Sequence, residues 1–189
     1  LLKNLSGGIA KTGGYIVGKK DLVWSVAERF SAPCIGKDIG ANMNQLGDFY
    51  RGLYRAPNTV ASSLKTMTFA SLLLQKFGFN VDPLFDEKRT DIIQTIKLGS
   101  AENLVSFCQG LQKSMPVESF LTLEPSSTPG YPHDEIMASG SFTEGSTIEL
   151  SCDGPMVEPF TCYMQGGVTY EYGKLGIIIA LNEILKSKI

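Results

Sequence analysis

The sequence predicts an α/β fold, a mixed or antiparallel sheet packed with helices, and three observations predict it. Apolar residues recur at helical spacing over 58–77, an alternating run at 91–98 leads into a capped helical pattern, and three strand-like runs gather between 135 and 164 ahead of a last helical stretch. Strands clustered beside amphipathic helices bury one face of their sheet against them.

Taken in order, residues 5–18 hold five glycines and a short β-branched run, which predicts a tight loop feeding a strand at Tyr15 to Val17. Asp21 can cap a helix in which Leu22, Val23, Val26, Ala27 and Phe30 form a face that covers a core, ending before Pro33. Residues 34–55 mix Gly and Asn with polar side chains and predict irregular loops around a helix near Met43 to Tyr54. The spacing of Val60, Leu64, Met67, Ser71 and Leu74 predicts a long helix from Asn58, its cap, to Phe77, stopped by a left-handed Gly78.

Ile92, Gln94, Ile96 and Leu98 then share one face of a strand over 91–98, and Ser100 caps a helix that turns Leu104, Val105, Cys108 and Leu111 toward a core. Residues 122–133 read as a loop stiffened by Pro125, Pro129 and Pro132. Strands are expected at Glu135 to Phe142, Ser146 to Ser151 and Phe160 to Met164, with Gly- and Pro-bearing turns between them and a closing helix at Gly173 to Lys186. There is no internal repeat and no low-complexity segment.

Composition narrows the function classes. With 189 residues, 43% hydrophobic and 19% charged, the chain fits a globular protein with a real core. A net charge of −2 and scattered Lys and Arg give no electrostatic footprint for nucleic acid or an anionic membrane. The longest apolar stretch, Leu175 to Leu181, falls far short of the about 18 residues a transmembrane helix needs.

Cys34, Cys108, Cys152 and Cys162 are widely spaced, lack a Cys-x-x-Cys pair and sit among apolar residues. They read as reduced core cysteines rather than a disulfide frame or a zinc site. A reducing compartment follows, either cytoplasm or an organelle stroma or matrix. The opening Leu1-Leu2-Lys3, with no initiator Met or signal-peptide pattern, is expected to be the ordered or processed remainder of something longer.

Lys3 is the first candidate for chemistry. A lysine ahead of a Gly-rich turn can project its amine into a cleft where backbone amides bind phosphate. A lysine near a terminus is also commonly just solvated, and the glycine pattern is neither a Walker motif nor a dinucleotide fingerprint. The sole histidine, His133, lies in a Pro-flanked loop and reads as an exposed imidazole; one histidine excludes a His-based zinc site built from this chain alone. Glu149 and Asp153 could orient a site, although an Asp-Gly turn explains Asp153 without chemistry. Tyr15, Tyr163 and Tyr170 read as core or rim aromatics.

The run Leu2-Lys3-Asn4-Leu5-Ser6-Gly7-Gly8-Ile9-Ala10 with Thr12-Gly13-Gly14-Tyr15-Ile16-Val17-Gly18 resembles the cofactor-lysine segment of a known family. These are the aluminium-resistance, cystathionine β-lyase-like enzymes related to methionine γ-lyase, which use pyridoxal 5'-phosphate (PLP). Colinear matches follow at Arg89-Thr90-Asp91-Ile92-Ile93-Gln94, Phe107-Cys108-Gln109-Gly110, Pro129-Gly130-Tyr131, Ile148-Glu149-Leu150-Ser151 with Asp153-Gly154-Pro155, and Gln165-Gly166-Gly167 with Thr169-Tyr170.

The resemblance implies the C-terminal portion of a type I, aspartate-aminotransferase-like PLP fold. Residues 1–57 would be the end of the large domain with a linking helix, and 58–189 the small C-terminal α/β domain. It makes Lys3 the residue that binds PLP covalently and acts as base, with Gly7 and Gly8 beside the cofactor. Arg89 becomes a candidate ligand for a substrate carboxylate, although Asp86, Glu87 and Asp91 nearby also suit it to a surface ion pair. Partners implied are further protein subunits, as a homo-oligomer or a larger complex.

The chain departs from the family pattern at Val157, Lys11 and Asn58, where arginine, proline and histidine are expected. Valine cannot make the paired charge-assisted hydrogen bonds with which an arginine holds a carboxylate. Two functions follow: a degenerate, non-catalytic relative acting as a structural or interaction subunit of a larger assembly, in which PLP is absent; or a fragment of an active PLP-dependent carbon–sulfur lyase of the cystathionine or methionine type.

Overall fold

The structure is a computed structural model and describes residues 4–35, 44–142 and 147–187. Its elements are helix α1 (Lys20–Phe30), helix α2 (Leu46–Lys76), strands β1 (Asn80–Asp82) and β2 (Ile93–Lys97), helix α3 (Ala101–Gln112), strands β3 (Glu135–Ser139), β4 (Leu150–Pro155) and β5 (Thr161–Gly166), and helix α4 (Tyr170–Lys186).

The five strands form one sheet in the order β1-β2-β5-β4-β3, and every neighbouring pair is antiparallel. The sheet is therefore not mixed. Strands joined by direct returns, as β3, β4 and β5 are, must alternate in direction, and no crossover helix links two neighbours to make them parallel.

Alternation decides which face is dry. Gln94, Ile96, Cys162, Met164, Ile136 and Ala138 are buried under α2, α3 and α4, with Met67, Leu74, Leu104, Phe107 and Leu111 filling the space between the layers. On the opposite face Ile93, Met137 and Tyr163 are exposed. The Ser100 cap forms as expected, its hydroxyl accepting from Asn103 N–H at 3.1 Å. Gly78 takes φ +86° after the end of α2, the left-handed stop that residues with a Cβ resist.

Four expectations are corrected. Residues 15–17 are not a strand; no neighbouring strand among the described residues offers them a ladder, and Val17 is 84% exposed. Helix α1 forms, but none of its residues is buried and Phe30 is 85% exposed, so it covers no core. Two helices, near 43–54 and over 58–77, are one 31-residue helix with Pro57 inside it, so Asn58 caps nothing. The helix persists because Gly52, Ala56, Thr59, Ser63 and Met67 form one continuous buried stripe across the proline.

The fourth correction is β4, expected at 146–151 and found at Leu150–Pro155. Asp153-Gly154-Pro155 reads as a turn but lies within the strand. A Cβ at Gly154 would stand 2.5 Å from the Thr161 carbonyl oxygen, so glycine is there to let β5 approach.

A candidate site at the glycine turn

Residues 4–9 make a tight turn in which Gly7 (φ +56°) and Gly8 (φ +77°) adopt left-handed backbone. Gly7 N–H donates to the Asn4 carbonyl at 3.2 Å, Ile9 N–H to the Ser6 carbonyl at 2.9 Å, and Gly8 N–H to Ser6 Oγ at 3.3 Å. The turn is pressed onto α2: a Cβ at Gly52 would lie 2.1 Å from the Ser6 carbonyl oxygen, and one at Gly7 would lie 2.7 Å from the Gly52 carbonyl oxygen. Thr59, two helical turns beyond Gly52, donates from Oγ1 to the Gly7 carbonyl at 3.4 Å.

A cavity of about 410 Å³ opens beside this turn. Gly7, Gly8 and Ile9 form one wall, Arg55 and Thr59 come from α2, and Glu149, Val168 and Tyr172 close the other side. Arg55 and Thr59 share a helix face at i, i+4 spacing, and Arg55 makes no ion pair among the described residues.

Glu149 reaches the cavity because it immediately precedes β4. Its carbonyl accepts from Gly167 N–H at 2.6 Å and Val168 N–H at 3.3 Å, which pins the Gly166-Gly167 turn where α4 begins. That turn needs glycine at both positions: φ is +100° and +102°, and a Cβ at Gly167 would sit 2.5 Å from Thr66 Oγ1. The Glu149 side chain is buried, and its Oε2 has no hydrogen-bond partner among the described residues.

Tyr172 lies in the first turn of α4, its hydroxyl donating to Met115 Sδ at 3.5 Å. Burial, and then the negative charge of Glu149, push the Tyr172 hydroxyl up to about 12. It stays protonated at neutral pH and remains a donor. The cavity thus combines an apolar wall, a cation, a buried carboxylate oxygen in need of a donor, and a phenol that can give one. The set would suit a flat, amphiphilic anion, with the apolar wall to cover a ring and Arg55 to pair with a negative group.

Gly7 and Gly8 both line the cavity wall. Lys3 lies outside the described residues; the turn that follows it starts at Asn4. Arg89 is elsewhere. Its guanidinium donates to the Ile93 carbonyl at 3.3 Å, to the Met67 carbonyl at 3.2 Å and to Gln94 Oε1. It braces α2 against β2 and forms no ion pair with Asp86, Glu87 or Asp91 among the described residues. Burial lowers its affinity for the proton, with Asp91 opposing.

Arg55, Thr59 and Tyr172 escape sequence reasoning. Arg55 sits in a stretch of mixed polarity, and only the Gly52 to Thr59 contact with the turn gives it a role. Val157 lies past the far end of β4 from Glu149. Tyr163 and Tyr15 are exposed, as is His133, while Tyr170 stacks edge-on with Phe69 at 6.2 Å between centroids. No helix among the described residues is long and apolar enough to cross a membrane.

The family model described as methionine gamma-lyase matches residues 1–185 of this chain. The crystal structure of a carbon-sulfur lyase involved in aluminum resistance from Clostridium novyi NT superposes with a TM-score of 0.88 at 42% identity, over 96% of this chain and 42% of that one. The uncharacterized protein YnbB of Bacillus subtilis (strain 168) is 41% identical over 189 residues, 100% of this chain and 45% of its own length. An uncharacterized 33.9 kDa protein in the glnA 5' region of Lactobacillus delbrueckii subsp. bulgaricus is 45% identical over 184 residues, 97% of this chain and 60% of its own length. The chain spans less than two thirds of the length of each.

Proposed function

This chain belongs to the methionine gamma-lyase family, and from that premise we propose that it forms the C-terminal part of a PLP-dependent carbon–sulfur lyase acting on a sulfur-bearing amino acid. Lys3 is the cofactor lysine in this reading, and the type I PLP fold is completed by the N-terminal portion that the longer relatives carry. The observation that supports it is the cavity itself: the turn after Lys3 lines it, and Glu149 Oε2 lies buried there without a hydrogen-bond partner among the described residues.

When bound, PLP supplies an electron sink for charge developing at the substrate α-carbon. The chain's residues do the rest of the work on this side. The Gly7-Gly8 turn is seated on Gly52 of α2, and in this reading the Lys3 amine takes the proton from the substrate α-carbon. Arg55 pairs with an anionic group, phosphate or carboxylate. Glu149 Oε2 accepts a hydrogen bond from an N–H of the bound molecule, Tyr172 donates one, and Ile9 and Val168 keep water from the reacting atoms.

A second reading, a non-catalytic structural or interaction subunit, draws on the exposed apolar surface of residues 15–17 and α1. The departure that spoke most for it, Val157, stands at the end of the sheet away from the cavity. One experiment separates the two. The full-length protein is expected to show the visible absorbance of lysine-bound PLP, to lose it on borohydride reduction, and to carry the added mass on Lys3; Lys3→Ala removes both signals. A folded protein with neither band nor modified lysine would leave the subunit reading.

A further inference from the structure

Cys108 on α3, Cys152 on β4 and Cys162 on β5 are far apart in sequence, yet their three sulfurs lie within 4.8 Å of one another and all three residues are fully buried. Cys152 Sγ donates to Cys108 Sγ at 3.5 Å. These three are buried, unbridged core cysteines as the sequence reading expects, whereas Cys34, read the same way, is exposed. None of the three lines the cavity at the glycine turn.

We propose that Cys108, Cys152 and Cys162 form a buried three-thiol site for one soft d10 metal ion, with monovalent copper the best match. Sulfur ligands select such ions over hard ones, which require oxygen. Metal–sulfur bonds of about 2.3 Å in a trigonal plane set the sulfurs about 4.0 Å apart, and separations between 3.5 and 4.8 Å bracket that value. No His, Asp or Glu joins the cluster among the described residues, whereas structural zinc sites almost always take four ligands. Met164, directly opposite Cys152 in the sheet register and fully buried, adds a soft thioether position on the same face.

Cys108 is the thiol whose proton is held most weakly, because its thiolate accepts S–H hydrogen bonds from Cys152 and then Cys162. Burial pushes the Cys152 and Cys162 thiols up. Cu(I) meeting three thiols gives two Cu–thiolate bonds and one Cu–thiol bond with release of two protons to solvent. The complex carries one net negative charge and no oxidation state changes. Because the sulfurs are closed off, the ion enters when α3 opens from the sheet or during folding.

The test uses the full-length protein, reduced and free of oxygen, loaded with Cu(I) from a competing chelator both in the native state and during refolding. Expected are one Cu(I) retained per chain through desalting, about two protons released, and a sulfur-only shell near 2.3 Å by X-ray absorption. Cys152→Ala and Cys162→Ala should each weaken retention by more than about tenfold, while Cys34→Ser leaves it unchanged. Retention that follows Cys34, nitrogen or oxygen ligation, or no retained ion by either route overturns the proposal. Where a core variant fails to fold, the wild-type absorption spectrum decides.

Discussion

The amphipathic face of α1 and that of α3 look alike in sequence, yet they meet different fates. In α3, Leu104, Phe107, Cys108 and Leu111 are wholly buried; in α1, Leu22, Trp24 and Phe30 stay exposed and no residue is buried. Periodicity sets which face of a helix is apolar, but burial needs a surface to receive it. For α3 that surface is the sheet and α4. Among the described residues before α2, the turn at 4–9 meets this α/β unit and is locked by reciprocal contacts with Gly52. The site therefore sits at the seam between a packed region and an unpacked one.

The largest expected effect tests the contrast directly. Phe107→Ala should destabilise the protein by about 3–5 kcal/mol through cavity formation in the core, whereas Phe30→Ala should change stability by less than about 0.5 kcal/mol. Urea unfolding midpoints of the two variants give the comparison. A Phe30→Ala loss rivalling that of Phe107→Ala would mean that α1 is packed in the protein as it exists in solution.

The seam itself is probed by Gly52→Ala. The added Cβ collides with the Ser6 backbone, an overpacking that costs about 1–3 kcal/mol, while alanine returns about 1 kcal/mol of helix propensity. The net change is a loss of about 0–2 kcal/mol. The sharper readout is local: hydrogen exchange at Ile9 and Gly7 should accelerate while amides of α3 are unaffected, and the fraction of Lys3 carrying reducible PLP should fall. Unchanged exchange at Ile9 would show that the turn does not depend on this contact.

Much of the packed region was readable. The alternation of Ile92, Gln94, Ile96 and Leu98, the Ser100 cap and the pattern of α4 are local signals, and local signals dominate where one face is dry and the other wet. What failed was context. A helix near Met43 to Tyr54 and another from Asn58 read as separate, yet the small buried stripe from Gly52 to Met67 carries one helix through Pro57. Asp153-Gly154-Pro155 reads as a turn because nothing local reveals that β5 presses on Gly154. At the site, Gly7 and Gly8 are named only through the resemblance of the segment that holds them, while Arg55 and Tyr172 join Glu149 in lining one cavity only after α2 and α4 have packed. The same holds for the three sulfurs, joined by no motif.

Tyr172 offers a pH test on the packed side of the seam. Its proton is held up to about 12 in the fold, against an unfolded value of about 10, so the folded state retains the proton more strongly. Stability from this group is complete below about pH 10 and is lost as pH rises from about 10 to about 12, by about 1 kcal/mol once its partial exposure is allowed for. Tyr172→Phe should remove that alkaline slope while leaving stability at pH 7 within about 1 kcal/mol. A slope that survives in Tyr172→Phe assigns it to another group.

The smallest effect contrasts two surface contacts of similar length. In α1, Trp24 Nε1 donates to Glu28 Oε1 at 2.8 Å, four residues apart in the same helix. Glu183 on α4 instead pairs with Lys113, which follows α3, at 2.7 Å and with Lys186 at 2.9 Å. These partners, Lys113 first, hold the Glu183 carboxyl below the ordinary carboxylate range. A depressed carboxylate contributes stability above its unfolded value and loses it as pH falls through the folded one. Solvent screens an exposed bridge, so Glu183→Gln should lower stability by under about 0.5 kcal/mol at pH 7. The deficit should shrink at about 1 M salt, where the Debye length is about 3 Å, and below the carboxylate range. Glu28→Gln should cost no global stability, because a helix that buries nothing cannot pass a local contact on to the fold; a shared loss would place α1 inside the same cooperative unit as α4.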